Sequence, residues 1–448
     1  MKRFLTAAWI LAATAVAASA QEEAASPDLS HPWSLKECID YAMEHNLNIK
    51  QQQNTLGQRE LALSTAKYSR LPDLSAGASQ NFSFGRGLTE DNTYAHTNTA
   101  STSFSIGSSV TVFNGFQINN NIKLNELNLM AATADLEKAR DDIRVAVAKA
   151  YVQILYDREI LQVSRDQVEI DSHQVERIKA MRLSGKASDA EVSQHEASLQ
   201  RSILTRTQAE NSLRGAMLDL SQLLELRAPD GLEIVAPEAD MEAVAIPGDP
   251  EDIYLQAVGI RPSVRAEQFR LDGTERSVQI AKGALYPYLS LSGGLGTNYY
   301  RAGGMASANF WTQLGNNFSQ YVGLNLNIPI FNKFSTRNNI RNAMLTRTSQ
   351  EIQLENVKKS LYKEIQQAWN SAVAARQKYI SSLSSRDSSQ EAFKLISVKY
   401  ENGKANITEF NEAKGQYMEA QSNLVQAQYE YLFQMKLLDF YKGEELTL

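Results

Sequence analysis

Ala66-Lys67-Tyr68-Ser69-Arg70-Leu71-Pro72-Asp73-Leu74-Ser75 opens, and Phe113-Asn114-Gly115-Phe116 closes, the stretch from which the fold is read. Inside it a helical pattern stops at Pro72, two alternating segments follow, and the Phe-Asn-x-Phe step leads into a very long helical pattern. The same order recurs as Ala281-Lys282, then Leu285-Tyr286-Pro287-Tyr288-Leu289-Ser290, then Phe331-Asn332-Lys333-Phe334. The offset is 215 residues at the first landmark (66 to 281) and 218 at the last (113 to 331). The chain is therefore a duplication, each copy carrying one hairpin between helices.

The hairpin segments alternate with period two. Leu74, Ala76, Ala78, Phe82 and Phe84 share one face, and Ser75, Gly77, Ser79, Asn81 and Ser83 the other. Phe104, Ile106, Val110 and Val112 oppose Ser103, Ser105, Gly107, Ser109 and Thr111. In the second copy Leu289, Leu291 and Leu295 oppose Ser290, Ser292, Gly294 and Gly296; Val322, Leu324, Leu326, Ile328 and Ile330 oppose Tyr321, Gly323, Asn325 and Asn327. One apolar face at period two means a half-buried strand, which a soluble sheet explains as well as a membrane does. Three details favour lipid. The polar face is almost uncharged, as a watery lumen requires. Each segment is near the ~9–11 residues of a tilted membrane strand. Aromatics gather at the ends (Phe82, Phe84, Phe113, Phe116, Tyr286, Tyr288, Tyr299, Tyr300, Phe331, Phe334), as in interfacial girdles. Four strands cannot close a barrel in lipid, where open edges are forbidden, so several chains must complete one barrel.

Residues 1–20 read as a secretory leader: Lys2 and Arg3, an apolar run from Phe4 to Ala18, and a small-residue cleavage site Ala18-Ser19-Ala20 before Gln21. Its removal takes the formal net charge from −6 to −8, a mildly acidic balance that does not point to nucleic acid. The one cysteine, Cys38, excludes an intrachain disulfide, lies well past the cleavage site, and reads as a small buried hydrophobe. After the leader no run of 18 apolar residues occurs.

Helical patterns surround the hairpins. A short amphipathic helix covers about Ser34–His45 and another about Leu47–Leu71; a proline-free pattern then runs from roughly Gln117 to Arg182. At ~1.5 Å per residue that is on the order of 100 Å, beyond an ordinary globular helix. Val147, Ile154, Leu161, Val168 and Val175 recur every seven residues, a coiled-coil seam. A turn at Leu183-Ser184-Gly185-Lys186 precedes a return helix to about Leu226, and residues 227–250 form an irregular connector. The second copy repeats the plan: helices at about Asp252–Val258 and Arg261–Leu285, a long helix from about Ser335 to Glu401, a turn at Asn402-Gly403-Lys404, and a return from Ile407 to about Tyr441. On that return Phe410, Tyr417, Leu424, Tyr431 and Leu438 hold one heptad position against Ala413, Ala420 and Ala427. The expected units are a leader (1–20), a first repeat (21–226, hairpin about 73–113), a connector (227–250) and a second repeat (251–448, hairpin about 288–331).

These residues resemble the TolC-type outer-membrane factors over nearly the whole mature chain. The likeness is carried by Ser34-Leu35-Lys36-Glu37-Cys38-Ile39-Asp40-Tyr41-Ala42, by Arg261-Pro262-Ser263-Val264, by the Ala-Lys-x-x-x-x-Pro-x-Leu-Ser steps at 66 and 281, by the Phe-Asn-x-Phe steps, and by the Gly-Lys turns at 185 and 403. It implies a mixed α/β membrane protein, mostly α: a long coiled-coil helical barrel continuous with a transmembrane β-barrel. Each chain would supply four strands, twelve per homotrimer, with Phe104, Ile106, Val110, Leu324, Leu326 and Ile328 among those facing outer-membrane lipid. The helix turns (Ser184, Gly185, Lys186, Asn402, Gly403, Lys404) would dock a periplasmic adaptor protein beside an inner-membrane transporter. Tyr400, Glu409 and Glu412 would form the periplasmic gate ring. The match departs from the family at Ala405, where some members carry a basic residue, and at Gln194, where the first copy lacks a second acid.

Independently of the resemblance, threefold symmetry turns Glu409 and Glu412 into six carboxylates, and acidic rings attract cations. Ordinary solvated helix glutamates explain the same residues. The histidines (His31, His45, His96, His173, His195) show no metal-ligand spacing and are explained by solvated or tip positions. Gly185-Lys186-Ala187 and Gly403-Lys404-Ala405 lack the rest of a phosphate loop. No catalytic constellation, cofactor or metal is expected. The sequence thus points to a passive exit duct of a tripartite efflux pump in a Gram-negative outer membrane. The alternatives are the duct of a type I protein secretion system and, of another class, a structural coiled-coil surface protein. Loops at about 86–99 and 301–319 are expected to face outside.

Overall fold

The computed structural model describes residues 31–88, 93–227, 231–236, 248–303 and 307–447. The leader, most of the connector and parts of both outer loops lie outside these residues.

The described order is α1 (Leu35–His45), α2 (Leu47–Tyr68), β1 (Ser75–Leu88), β2 (Tyr94–Asn114), α3 (Gln117–Leu183), α4 (Asp189–Leu223), α5 (Pro250–Ile260), α6 (Pro262–Gly283), β3 (Tyr288–Ala302), α7 (Phe310–Asn316), β4 (Ser319–Asn327), α8 (Ser335–Glu401) and α9 (Ile407–Lys442). The four strands form one antiparallel sheet in the order β1-β2-β3-β4. Below it α2 packs on α3, α3 on α6, and α6 on α8, so the helices lie in the same lateral order as the strands they continue. The chain is one curved wall, with each repeat supplying half. α3 and α8 are both 67 residues long, on the order of 100 Å.

Each strand-to-helix step is the same sharp corner. Gly115 and Phe116 in the first copy, and Lys333 and Phe334 in the second, are all left-handed (φ 63°, 64°, 56° and 63°). Phe113 and Phe116 meet edge-to-face at 5.4 Å between ring centroids, and Phe331 and Phe334 do so at 5.6 Å. The Phe-Asn-x-Phe motif is thus a corner clamped by its own two rings.

Halfway down the wall each repeat has a core. The first gathers Trp33, Cys38 and Ala42 beside Val147, Tyr151, Ile154 and Leu155 of α3, Leu220 of α4 and Leu224 just past its end. The second gathers Ile253 and Ala257 of α5 with Leu361, Ile365 and Ala372 of α8 and Leu438 of α9. Cys38 is fully buried and burial pushes its thiol up to about 12, so it is a packing residue with an inert thiol. Part of the connector folds back here: Trp33 bridges to Ile234, and Tyr151 donates to the carbonyls of Trp33 and Val235.

Three expectations shift. β4 stops at Asn327, one residue short of Ile328, because Pro329 has no N–H to continue the ladder. The segment at 86–99 is largely strand: pairing continues through Arg86↔His96 to Leu88↔Tyr94. The segment at 301–319 holds α7, whose Gln313 side chain accepts from Tyr300 N (2.9 Å) and donates to Tyr300 O (3.0 Å). That amide stands in for a neighbouring strand where β4, whose first residue Ser319 pairs with Gly296, has not yet begun.

Candidate functional site

The two helical turns farthest from the sheet are built by the same local chemistry. Gly185 and Gly403 follow the last residues of α3 and α8 at φ 72° and 70°, a conformation open to glycine. Lys186 N donates to Met181 O (2.9 Å) and Lys404 N to Lys399 O (2.8 Å); Gly185 N and Gly403 N donate to Arg182 O and Tyr400 O. These are paired Schellman caps. Four residues after each cap residue a capping box opens the return helix: Ser188 with Glu191 on α4, Asn406 with Glu409 on α9. Glu409 Oε2 accepts from Asn406 N (3.0 Å) while Asn406 Oδ1 accepts from Glu409 N (2.9 Å). Ser188 N–H and hydroxyl likewise hold the Glu191 carboxyl below the usual range. The tips are capped corners, with Ser184, Gly185, Lys186, Asn402, Gly403 and Lys404 all exposed at their ends.

Glu409 and Glu412 are exposed on the single chain, one turn apart. Glu409 has a local duty that its sequence context (Asn-x-x-Glu) signals. Tyr400 is engaged differently from these two exposed glutamates: its hydroxyl lies 2.8 Å from His195 Nε2, its ring stacks on Phe410 at 4.9 Å, and the Arg177 guanidinium sits over it at 5.7 Å. Arg177 Nη2 also donates to Glu401 O at 3.0 Å. Of the solvated or tip positions expected for the histidines, His195 takes a tip position but a buried one, 2% exposed. Burial, its largest cause, keeps the imidazole below 6.5, and burial likewise raises the Tyr400 phenol.

Deeper in the same interface Lys414 of α9, 3% exposed, is ion-paired with Asp171 of α3. Ser202 Oγ donates to Asp171 Oδ2 at 2.5 Å, and Ser198 Oγ is 3.3 Å from Lys414 Nζ. None of Arg177, Asp171, His195, Ser202 or Lys414 was singled out as functional by sequence reading. A signal was present: His195, Ser202, Ala209 and Ala216 recur every seven residues and are all buried, so His195 and Ser202 occupy a seam position. Polar groups there set register at a cost in stability.

At the other end the strand register sets the faces. Ile106 pairs with Ala76 and Leu295, Val110 with Leu291, and Leu291 with Leu324. Phe104 is opposite Ala78, and Leu326 opposite Leu289. A bulge between Thr111 and Phe113 makes Val112 the extra residue and aligns Phe113 with Leu289. The apolar residues thus share one continuous face, with Ile328 just beyond it; Leu324 is 67% exposed. Ser79 and Ser103 pair on the opposite face, their hydroxyls 2.6 Å apart. Among the described residues no helix is long and apolar enough to cross a membrane, and no group of three or more His, Cys, Asp or Glu could hold a metal.

The pattern of the Outer membrane efflux protein family matches residues 38–225 and 253–443, one match per repeat. The outer membrane efflux protein BepC of Brucella suis is 22% identical over 350 residues, covering 78% of this chain and 73% of that protein. Protein CyaE of Bordetella pertussis is 25% identical over 309 residues, 66% of this chain and 62% of that protein. Among solved structures, the Campylobacter jejuni CmeC outer membrane channel superposes with a TM-score of 0.78 at 19% identity, covering 92% of this chain and 87% of that one.

Proposed function

Because the chain belongs to the Outer membrane efflux protein family and has the fold of the outer-membrane channels, we propose that three copies form a passive exit duct for small molecules. The duct runs from the periplasm through the outer membrane. Its strands supply a twelve-stranded barrel and its helices a tube below. The observation that carries this is the sheet: β1 and β4 each have one unpaired edge, and one face is dominated by apolar side chains, with no charged residue from Leu74 to Phe84, Phe104 to Val112, Leu289 to Leu295 or Val322 to Leu326. Open edges are not tolerated in hydrocarbon, whereas β4 of one copy pairing with β1 of the next removes every edge. The helices support the same closure, since α8 and α2 are the outer members of the wall directly below β4 and β1.

In this reading the apolar face, with Phe104, Ile106, Val110, Leu324 and Leu326, meets lipid, and the Ser- and Gly-rich face lines the lumen. The tips at Gly185 and Gly403 meet a periplasmic adaptor, which holds them beside an inner-membrane transporter. Glu409 and Glu412 from three copies ring the narrow end, beside Tyr400. The duct does no chemistry; the transporter supplies the energy.

Single-channel conductance of the detergent-extracted protein in a planar bilayer tests this. The expected result is small cation-selective steps, blocked by a trivalent cation from one side only. A large unselective conductance refutes the constricted tip, and a verified trimer that conducts under no condition refutes the duct.

A further inference from the structure

The hairpins α3–α4 and α8–α9 run side by side to the tips, and polar groups join them there. Lys414 reaches from α9 to Asp171 on α3, with Ser198 and Ser202 of α4 completing the pair. Seven residues nearer the tip than Ser202, His195 reaches from α4 to the hydroxyl of Tyr400 on α8. Arg177 of α3 covers the Tyr400 ring and holds the last carbonyl of α8, at Glu401.

We propose that His195 is a proton-responsive joint between the two hairpins: neutral, it holds Tyr400 and with it the second tip; protonated, it releases that tip. The joint rests on the duct reading only for its consequence, which is an exit that loosens in acid.

The charges around the ring explain the direction. Asp171 and Arg177 face it from α3, Lys414 from α9, the Tyr400 phenol from α8, and Glu191 from its own helix. Two cations already balance two anions. Asp171 is committed to Lys414 and Ser202, and Glu191 to the backbone and hydroxyl of Ser188. An imidazolium would arrive in a buried site with no carboxylate left for it, and burying an unpaired charge is costly. Burial, and then Lys414 and Arg177, disfavour the proton; Asp171 and Glu191 oppose them without overcoming them. The phenol is also shifted, but upward, so it stays neutral and His195 alone of the pair titrates in mild acid.

A tip that swings open returns the ring to water and to its ordinary value of 6.5. Between that value and the lower one of the closed tip, the open form carries the extra proton. The preference for closure is therefore complete above about pH 6.5 and shrinks as pH falls through the window below it.

Hydrogen exchange on the full-length trimer tests the joint, following peptides across residues 396–412 at about pH 7.5 and about pH 5 after correction for intrinsic exchange. In the unmodified protein, protection at the second tip should fall several-fold on acidification. His195→Gln, which keeps an amide in place but cannot titrate, should flatten that change. Tyr400→Phe, which removes only the hydroxyl, should exchange fast already at neutral pH and gain little in acid. A His195→Gln or Tyr400→Phe trimer with the unmodified pH response overturns the joint, as does an unmodified protein whose tip is indifferent to pH. Conductance measured alongside separates the two readings. A tip that loosens in acid in a trimer that never conducts refutes the duct and leaves the joint standing.

Discussion

Gly115 shows how much one missing methyl group decides at the residue scale. A Cβ there would lie 2.2 Å from Gly283 O, and a Cβ on Gly283 would lie 2.8 Å from Gly115 O. Two backbones therefore cross where the first strand pair enters the tube, and neither glycine can carry a side chain without moving the other segment. In the second copy Lys333 takes the equivalent left-handed place and is exposed, so it is tolerated at the cost of strain. Opposite effects follow from the same kind of substitution site. Gly115→Ala should destabilise by at least ~2 kcal/mol, combining positive φ with overpacking. Lys333→Gly should stabilise by about 1 kcal/mol. Thermal dissociation of the trimer, compared with the unmodified protein, checks both signs.

The long elements were plainly written, and the contacts between them were not. Period-two alternation located β1 to β4 and the face each side chain takes, because a strand's pattern is local. The test at this scale is Leu324→Lys, which puts a charge opposite Leu291 in the middle of β4. The expected cost is ~2–4 kcal/mol if that face meets the membrane midplane, read as a loss of assembled trimer. Asn325→Lys, on the opposite face, should assemble normally; equal yields for the two would refute the orientation. The long helices were equally legible from their proline-free heptads, and the tips from Gly-Lys. α7 was not, since its place is set by Gln313 covering the free edge of β3, a contact with no periodic signature. The polar cluster near the tips was missed for a related reason. Asp171, His195 and Lys414 are 243 residues apart at the extremes (171 to 414), and each alone looks like a solvated helix residue. Only the packing of α3, α4 and α9 shows that they are buried together.

For the whole molecule, the proposed threefold assembly would make weak groups strong by repetition. Glu409 and Glu412 are ordinary exposed carboxylates on one chain, but six of them around one opening would bind a divalent or trivalent cation. Glu409→Gln with Glu412→Gln should relieve block by such a cation while leaving the trimer intact, because glutamine also closes a capping box at the position Glu409 occupies. Block that is unchanged in a planar bilayer would return both residues to the role of solvated or capping glutamates. The equal length of α3 and α8 has another consequence, for how such a protein can change over evolutionary time. Both helices start at the same corner and end at the same cap, and each is shadowed by a return helix with its own seam. An insertion in one of them alone would lift one tip out of the common plane and rotate its seam away from its neighbours. Only whole heptads, added to α3, α4, α8 and α9 together, preserve both the plane and the seams. The reach of the hairpins is therefore inherited in discrete steps, and in the proposed duct a membrane spacing that drifted gradually would have to be met by the adaptor or transporter instead.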